Sequence, residues 1–416
     1  MSDSPASRNG RRSFSDGRSG HRVSGNLLIL GAIVMLALNL RPAAVSVGPV
    51  LAEVSDGLAM SHTLAGVLTS LPVVAFAGFG ALAPGLARAV GVHRVTLLSL
   101  VVVAAGLGLR AVVDSPAAFL ALSMVALAGM AAANVLLPSL VKLHFPDRVG
   151  AVTAIYTTAL AIGLTGALTL TVPIADTYGG WRIGLGVWAI VALVAALPWL
   201  FMVGHDQHPD AEPHDIRLAQ VARTRLGLAM ALFFGLQSLQ AYAVFGWFAQ
   251  LWRDNGYSAT HAGLLLGVVA AVSIPLSSWI PAAAARRTDQ RGVLLAVMAC
   301  YPVGYVGLML APHSLAILWA LLVGIGACTF PLILTMIGLR SRTPAGTAAL
   351  SGFTQSAGYL LAAVGPFTVG AIYDATGGWT WPLAFLLALT VPQLLIGLYA
   401  AQPRFIEDEL SRPVHS

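Results

Sequence analysis

Charge is scarce in this sequence. Of 416 residues only 10% are Asp, Glu, Lys or Arg, where a soluble domain carries about 25%. A water-exposed globule is therefore excluded. Lysine is almost missing, with Lys142 the only one among 23 basic residues, which we read as genome composition rather than function. Cysteine is nearly absent too. Cys300 and Cys328 both lie in apolar runs without metal-ligand spacing, so neither a disulfide framework nor a metal centre is indicated. There is no Walker A pattern, no His-Glu-x-x-His and no Gly-x-Ser-x-Gly, so ATP-driven pumping and hydrolysis have no support. No cofactor and no metal are expected, and the chain is not read as an enzyme. His205, His208 and His214 stand among acids, but a solvated linker accounts for them. Carboxylates are missing from the interior of every apolar run.

What is present is apolar sequence. Hydrophobic residues make up 57% of the chain, and the mean hydropathy is +0.81. Length divided by spans of about 20–25 residues leaves room for roughly twelve helices. Apolar runs occur at 27–51, 62–84, 95–112, 117–141, 150–173, 182–203, 225–250, 260–283, 292–311, 314–337, 345–371 and 380–401. The first run is too long for a signal-peptide core, and further spans follow it. Residues 1–24, rich in Ser, Gly and Arg, read as a disordered tail. A polar linker at 204–223 divides two six-helix halves, 25–203 and 224–402, and 403–416 form a second tail.

Charge placement sets the topology. Nineteen of the 23 basic residues fall on the tails and the loops facing the same side. Arg110, Arg182 and Arg253 fall on the other side, with Glu53, Asp56, Asp114, Asp176, Asp254 and Asp374. By the positive-inside rule both termini are cytoplasmic and the protein is multi-pass in the cell inner (plasma) membrane. The pI near 9.7 has the same origin, so nucleic acid is not an expected partner. The expected partners are the lipid bilayer and a small-molecule anionic or polar solute, and the expected state is a monomer.

The chain also repeats itself. "IADTYGGWR" at 174–182 recurs as "IYDATGGWT" at 372–380, and Ala87-Arg88 recurs as Ala285-Arg286, all at a common offset of 198 positions. Two copies of six helices form a parallel repeat. The expected fold class is an all-α membrane protein, twelve transmembrane helices in two six-helix halves, the major facilitator fold, with a site where the halves meet near the midplane.

One charge lies inside a run. Arg41 is about fourteen residues into the first, roughly 21 Å from its start. A charge that deep costs roughly 2.5–3.5 kcal/mol on insertion scales. No acid is available in the runs to pair with it, which implies that the anion arrives as solute. The alternative is that Arg41 locks the bundle against free carbonyls. Pro42 cannot donate to the Leu38 carbonyl and bends the helix beside the cation. Asn39 stands next to it. Further polar candidates are Asn134 and Tyr156, then Gln237, Gln240 and Tyr242 in "GLQSLQAYAVFGW", and Gln355 and Tyr359, spaced i, i+4. Interhelical hydrogen bonds or back-bonding to carbonyls would also account for each of these. Glu53 is placed for gating at the rim.

The segments "LNLRPAAVSVGPVL", "NVLLPSLVKLHFP", "GLQSLQAYAVFGW", "FPLILT" and "LSGFTQSAGYLLAAVGP" resemble the cyanate porter family of the major facilitator superfamily, which includes cyanate and 2-nitroimidazole transporters. The resemblance covers most of residues 27–400. It implies a solute-binding role for Arg41, with Asn134, Gln237, Tyr242, Gln355 and Tyr359 at recurrent polar positions. The superfamily's signature loop after helix 2 usually has an acid where this chain has Arg88, and Asp289 in the second copy is the candidate substitute in gating. The implied activity is secondary transport by alternating access of a small anion or polar planar solute, such as cyanate or a nitroimidazole-like compound. Export of drugs or weak-acid metabolites on the same fold stays open. A membrane sensor is disfavoured, because the longest soluble stretch, about twenty residues, is too short for a domain.

Overall fold

The computed structural model describes residues 16–145, 148–205 and 218–410. The linker between 205 and 218, residues 1–15 and residues 411–416 lie outside the described residues, as do some side chains, that of Arg88 among them. Among the described residues twelve helices are long and apolar enough to cross a membrane. They are α1 (Leu27–Gly57), α2 (His62–Gly80), α3 (Val92–Arg110), α4 (Pro116–Val141), α5 (Ala151–Tyr178), α6 (Trp181–Met202), α7 (Arg225–Asp254), α8 (Ala259–Ala285), α9 (Arg291–Leu310), α10 (Ala316–Leu339), α11 (Ala349–Thr376) and α12 (Thr380–Ala400). Helix is the form that satisfies every backbone N–H and C=O within one apolar segment.

Two boundaries differ from the sequence reading. The helix that contains α1 begins at Asp16, inside the stretch expected to be a disordered tail. Extending an existing helix is cheaper than starting one, so polar residues are carried along. The second tail is also partly ordered. Ile406–Leu410 form a short helix that folds back on the carboxy-terminal half. There the Leu226 N–H donates to the Glu409 carboxylate at 3.1 Å, and the Thr343 N–H donates to Glu407 at 3.0 Å. These acids answer the exposed N–H groups that begin the helices of α7 and α11.

Each half packs as its own bundle, with α3 against α4 and α6, and α7 against α11 and α12. The halves meet along α2 with α11, α5 with α8, and α1 with α7. Leu, Ile, Val and Phe line both the interior and much of the outer surface, as expected where the surrounding medium is itself apolar. An even number of spans puts both ends of the chain on one face. We call that face proximal and the opposite one distal.

The distal ends of the halves are clasped together. Arg253 at the end of α7 pairs with Glu53 at the end of α1, at 2.7 Å. The two copies of the repeated motif make matching contacts in opposite directions. Asp374 of α11 accepts from the Thr63 N–H of α2 at 2.7 Å and meets His62 at 2.9 Å. Asp176 of α5 accepts from the Thr260 hydroxyl of α8 at 3.3 Å. Between these clasps the backbones touch. A Cβ on Gly48 would stand 2.2 Å from the Phe245 carbonyl oxygen, so only glycine permits this approach. The Glu53–Arg253 pair and the Asp374 and Asp176 contacts thus join the halves at this distal end.

Candidate functional site

The first span is not continuous. Its helix stops at Asn39, turns through Leu40 and Arg41, and restarts at Pro42. Pro42 causes the break. It has no N–H for the Leu38 carbonyl, and its ring sits best at the first position of a new helical segment. The freed carbonyl is not a ligand here. It is covered by α5, where a Cβ on Gly163 would stand 2.1 Å from the Leu38 oxygen.

Arg41 is left half-buried at this turn. Its side chain reaches across the interface to that of Tyr242 on α7, and Tyr359 on α11 lies within range of its charge. Among the described residues no carboxylate is paired with it. Tyr359 is held by aromatic packing from both halves, stacked on Phe76 of α2 at 5.0 Å and edge-on to Phe234 of α7 at 5.0 Å. One cation and two phenols from three helices thus converge between the halves.

The remaining candidates are placed differently. Asn39 is buried and its Nδ2 has no hydrogen-bond partner. It is the last residue of its helical segment, one residue before the Leu40–Arg41 turn. Asn134 on α4 is half-buried, with no side-chain hydrogen bond recorded to a described residue. Tyr156 on α5 is half-buried and interacts with Thr153 of its own helix. Gln355, half-buried one turn before Tyr359, donates to the Ser351 hydroxyl at 2.9 Å.

The glutamine pair is corrected. Gln237 and Gln240 are completely buried and do not face the gap between halves. Gln237 Nε2 donates to the Ala327 carbonyl at 2.9 Å and the Tyr301 hydroxyl at 3.3 Å, while its oxygen accepts from Gln393 at 2.7 Å. Gln240 Nε2 donates to Gln393 Oε1 at 2.5 Å and its oxygen accepts from Tyr305 at 2.6 Å. This network joins α7, α9, α10 and α12 inside the carboxy-terminal half. Five residues separate Gln237 from Tyr242, roughly 140° around the helix, so one cannot face the network while the other shares its face.

Of the gating candidates, Glu53 bridges the halves as described. Asp289 does not. It pairs with Arg291 of its own loop at 2.6 Å, and that partner holds its carboxyl below the ordinary carboxylate range. The departure is local: two residues apart in a loop, the acid and the base meet before either can reach another helix. The side chain of Arg88 lies outside the described residues.

The sequence reading missed Arg110, which it assigned to a distal loop. Arg110 ends α3 but is only 1% exposed. In sequence Asp114 stands at the i+4 position as a ready partner for it, and nothing there signals burial. The chain turns after Arg110 instead, and Asp114 pairs with Arg182 at 2.6 Å.

Comparison with known proteins agrees with this architecture. The sequence profile of the Major Facilitator Superfamily matches residues 27–366. The chain is 36% identical over 390 residues to an uncharacterized transporter, YycB, of Bacillus subtilis, covering 92% of this chain and 96% of that protein. It is 34% identical to the 2-nitroimidazole transporter of Escherichia coli, covering 91% and 97%, and 27% identical to the cyanate transport protein CynX of the same organism, covering 91% and 98%. Among solved structures, the nucleoside transporter NupG superposes with a TM-score of 0.75 at 14% identity, covering 89% of this chain and 99% of that one.

Proposed function

The chain belongs to the Major Facilitator Superfamily, and on that premise we propose that it is a secondary transporter for a small anion or polarised planar solute, anchored by Arg41. One observation carries this reading. Arg41 lies at a helix break between the halves, faces two tyrosines of the opposite half, and has no carboxylate partner among the described residues. A guanidinium offers a planar fork that matches oxyanions and nitro groups. The names of two relatives, the cyanate transport protein and the 2-nitroimidazole transporter, point to the same solute class. Cyanate is a small monovalent anion, and a nitroimidazole is flat with negatively polarised oxygens.

The mechanism follows from where the clasps lie. The distal end is held by the Glu53–Arg253 pair and by the Asp374 and Asp176 contacts. Solute exchange in this conformation is toward the proximal end, which we place in the cytoplasm of a cell whose inner membrane holds the protein. Rocking the halves breaks those three contacts and opens the distal end. Asn134, Tyr156 and Gln355, half-buried on α4, α5 and α11, supply polar wall to the path.

The test is uptake of labelled cyanate or nitroimidazole by vesicles containing Arg41→Ala. A charged hydrogen bond is worth about 1.5–3 kcal/mol, so uptake at low solute should fall roughly 10- to 150-fold, with normal amounts of folded protein in the membrane. Uptake at the unaltered rate would remove Arg41 from the site and this reading with it.

A further inference from the structure

Arg110 is a second buried cation, and its surroundings do not satisfy it. Its two terminal nitrogens lie 3.4 Å from the hydroxyls of Ser46 on α1 and Ser123 on α4. That is the outer limit of a hydrogen bond. Its Nε has no partner. The Phe119 ring is 5.7 Å from the guanidinium carbon, too little to offset the loss of water from a full charge. None of the ion pairs resolved among the described residues involves it. Buried guanidinium ions otherwise come paired.

The missing partner has a place to stand. Arg110 and Ser123 line a small cavity of about 20 Å³ with Val45, Val47 and Gly48 of α1, Thr69 of α2 and Tyr242 of α7, and Ser46 stands behind this wall, against the other terminal nitrogen of Arg110. That is room for about one water-sized body. The cavity lies between Arg41 and the Gly48–Phe245 seal along α1. Tyr242 belongs to both sites, since it borders this cavity and also meets Arg41.

We propose that Arg110, Ser46 and Ser123 form a second anion-binding site, distal to Arg41, for a monatomic inorganic anion such as chloride. The anion supplies the countercharge that the protein does not. Its position makes it the next station for a charge that leaves Arg41 toward the distal side, with Tyr242 as the hydroxyl between them. The size of the cavity excludes organic anions while the distal end is shut.

The site stands independently of Arg41 and is tested without transport. Purified Arg41→Ala protein is titrated with sodium chloride against sodium gluconate at constant ionic strength, and the melting temperature is followed by tryptophan fluorescence. Chloride should raise it saturably and gluconate should not. Adding Arg110→Met, which keeps the side-chain bulk and removes the charge, should abolish that rise. The Ser46→Ala/Ser123→Ala pair should move its midpoint at least tenfold higher and carries the test if Arg110→Met does not fold. The proposal is overturned if Arg41→Ala shows no saturable rise, if Arg110→Met leaves the rise intact, or if the serine pair leaves the midpoint where it was. Unaltered transport by Arg41→Ala would count against the Arg41 reading alone.

Discussion

The first helix of each half occupies the same place in the repeat, and the two treat their buried polar groups in opposite ways. The common offset carries Asn39 to Gln237 and Arg41 to Leu239. On α1 the amide of Asn39 is orphaned and Arg41 has no anion. On α7 the amide of Gln237 is saturated by Tyr301, Ala327 and Gln393, and an apolar leucine stands where the cation would be. The amino-terminal half adds a second unanswered cation in Arg110, while the carboxy-terminal half closes its amides on one another. A closed network fixes the shape of a bundle. Unsatisfied charge leaves a bundle waiting for something to bind. If Arg41 holds solute as proposed, the carboxy-terminal half is the wall and the amino-terminal half the anchor.

That division can be broken experimentally. The largest effect is expected from Gly48→Val, which sets bulk against the Phe245 carbonyl where a Cβ already stands 2.2 Å away. Overpacking by about 1–3 kcal/mol should shift the halves roughly 5- to 150-fold toward the distal-open state. Labelling of a cysteine introduced at the distal rim would read this shift, and unchanged labelling would mean the seal is not where the halves part. Next is Gln393→Leu. It leaves Gln237 and Gln240 each short of a partner, so stability should drop by about 1–3 kcal/mol while the affinity for solute stays the same. A weakened affinity at unchanged melting temperature would put the glutamines back in the solute path. Arg41→Lys follows. The charge remains but the fork is lost, so binding should weaken roughly tenfold, or about 1.4 kcal/mol, with no change in melting temperature.

The smallest effect belongs to the tail helix. Burial alone would raise the Glu407 carboxyl, but hydrogen bonds from its own backbone, from Thr343 and from the Arg342 N–H hold it below its ordinary value of 4.5. A carboxyl lowered on folding stabilises the protein above its unfolded pKa, and that stabilisation is lost as pH falls through the lowered folded pKa. Glu407→Gln should therefore melt slightly lower than the parent protein at pH 7. The gap should narrow below about pH 4.5 and close at lower pH. A gap that persists undiminished in acid would mean that Glu407 acts through packing rather than charge.

The twelve spans, the two halves and the isolation of Arg41 were legible in the sequence because each rests on a long or strong signal. Apolar runs near twenty residues have no soluble alternative, and a cation within one is conspicuous. The repeat also shows Asp176 and Asp374 at corresponding places in the two halves, although their contacts with Thr260, Thr63 and His62 emerge only in the fold. Side-chain facing was less legible. Gln237 and Tyr242 stand as candidates in one short segment, yet a helix turns them roughly 140° apart. Arg110 was hidden for the opposite reason. It sits at the end of a run, where loop charges ordinarily occur, and only the packing of Ser46 and Ser123 around it reveals that it is buried. Asp289 is met first by Arg291, two positions on at the start of α9, a local pairing that its place in the string does not reveal.

The contact between Gly163 and the Leu38 carbonyl reaches beyond packing. Gly163 is buried against α1, and a methyl group there would collide with the backbone just before the turn that carries Arg41. A genetic screen for inactive alleles would therefore return this glycine beside the arginine, and the two would be indistinguishable by growth. Quantifying the protein in the membrane would tell them apart: one allele removes the anchor from an intact bundle, and the other prevents the bundle from closing around it.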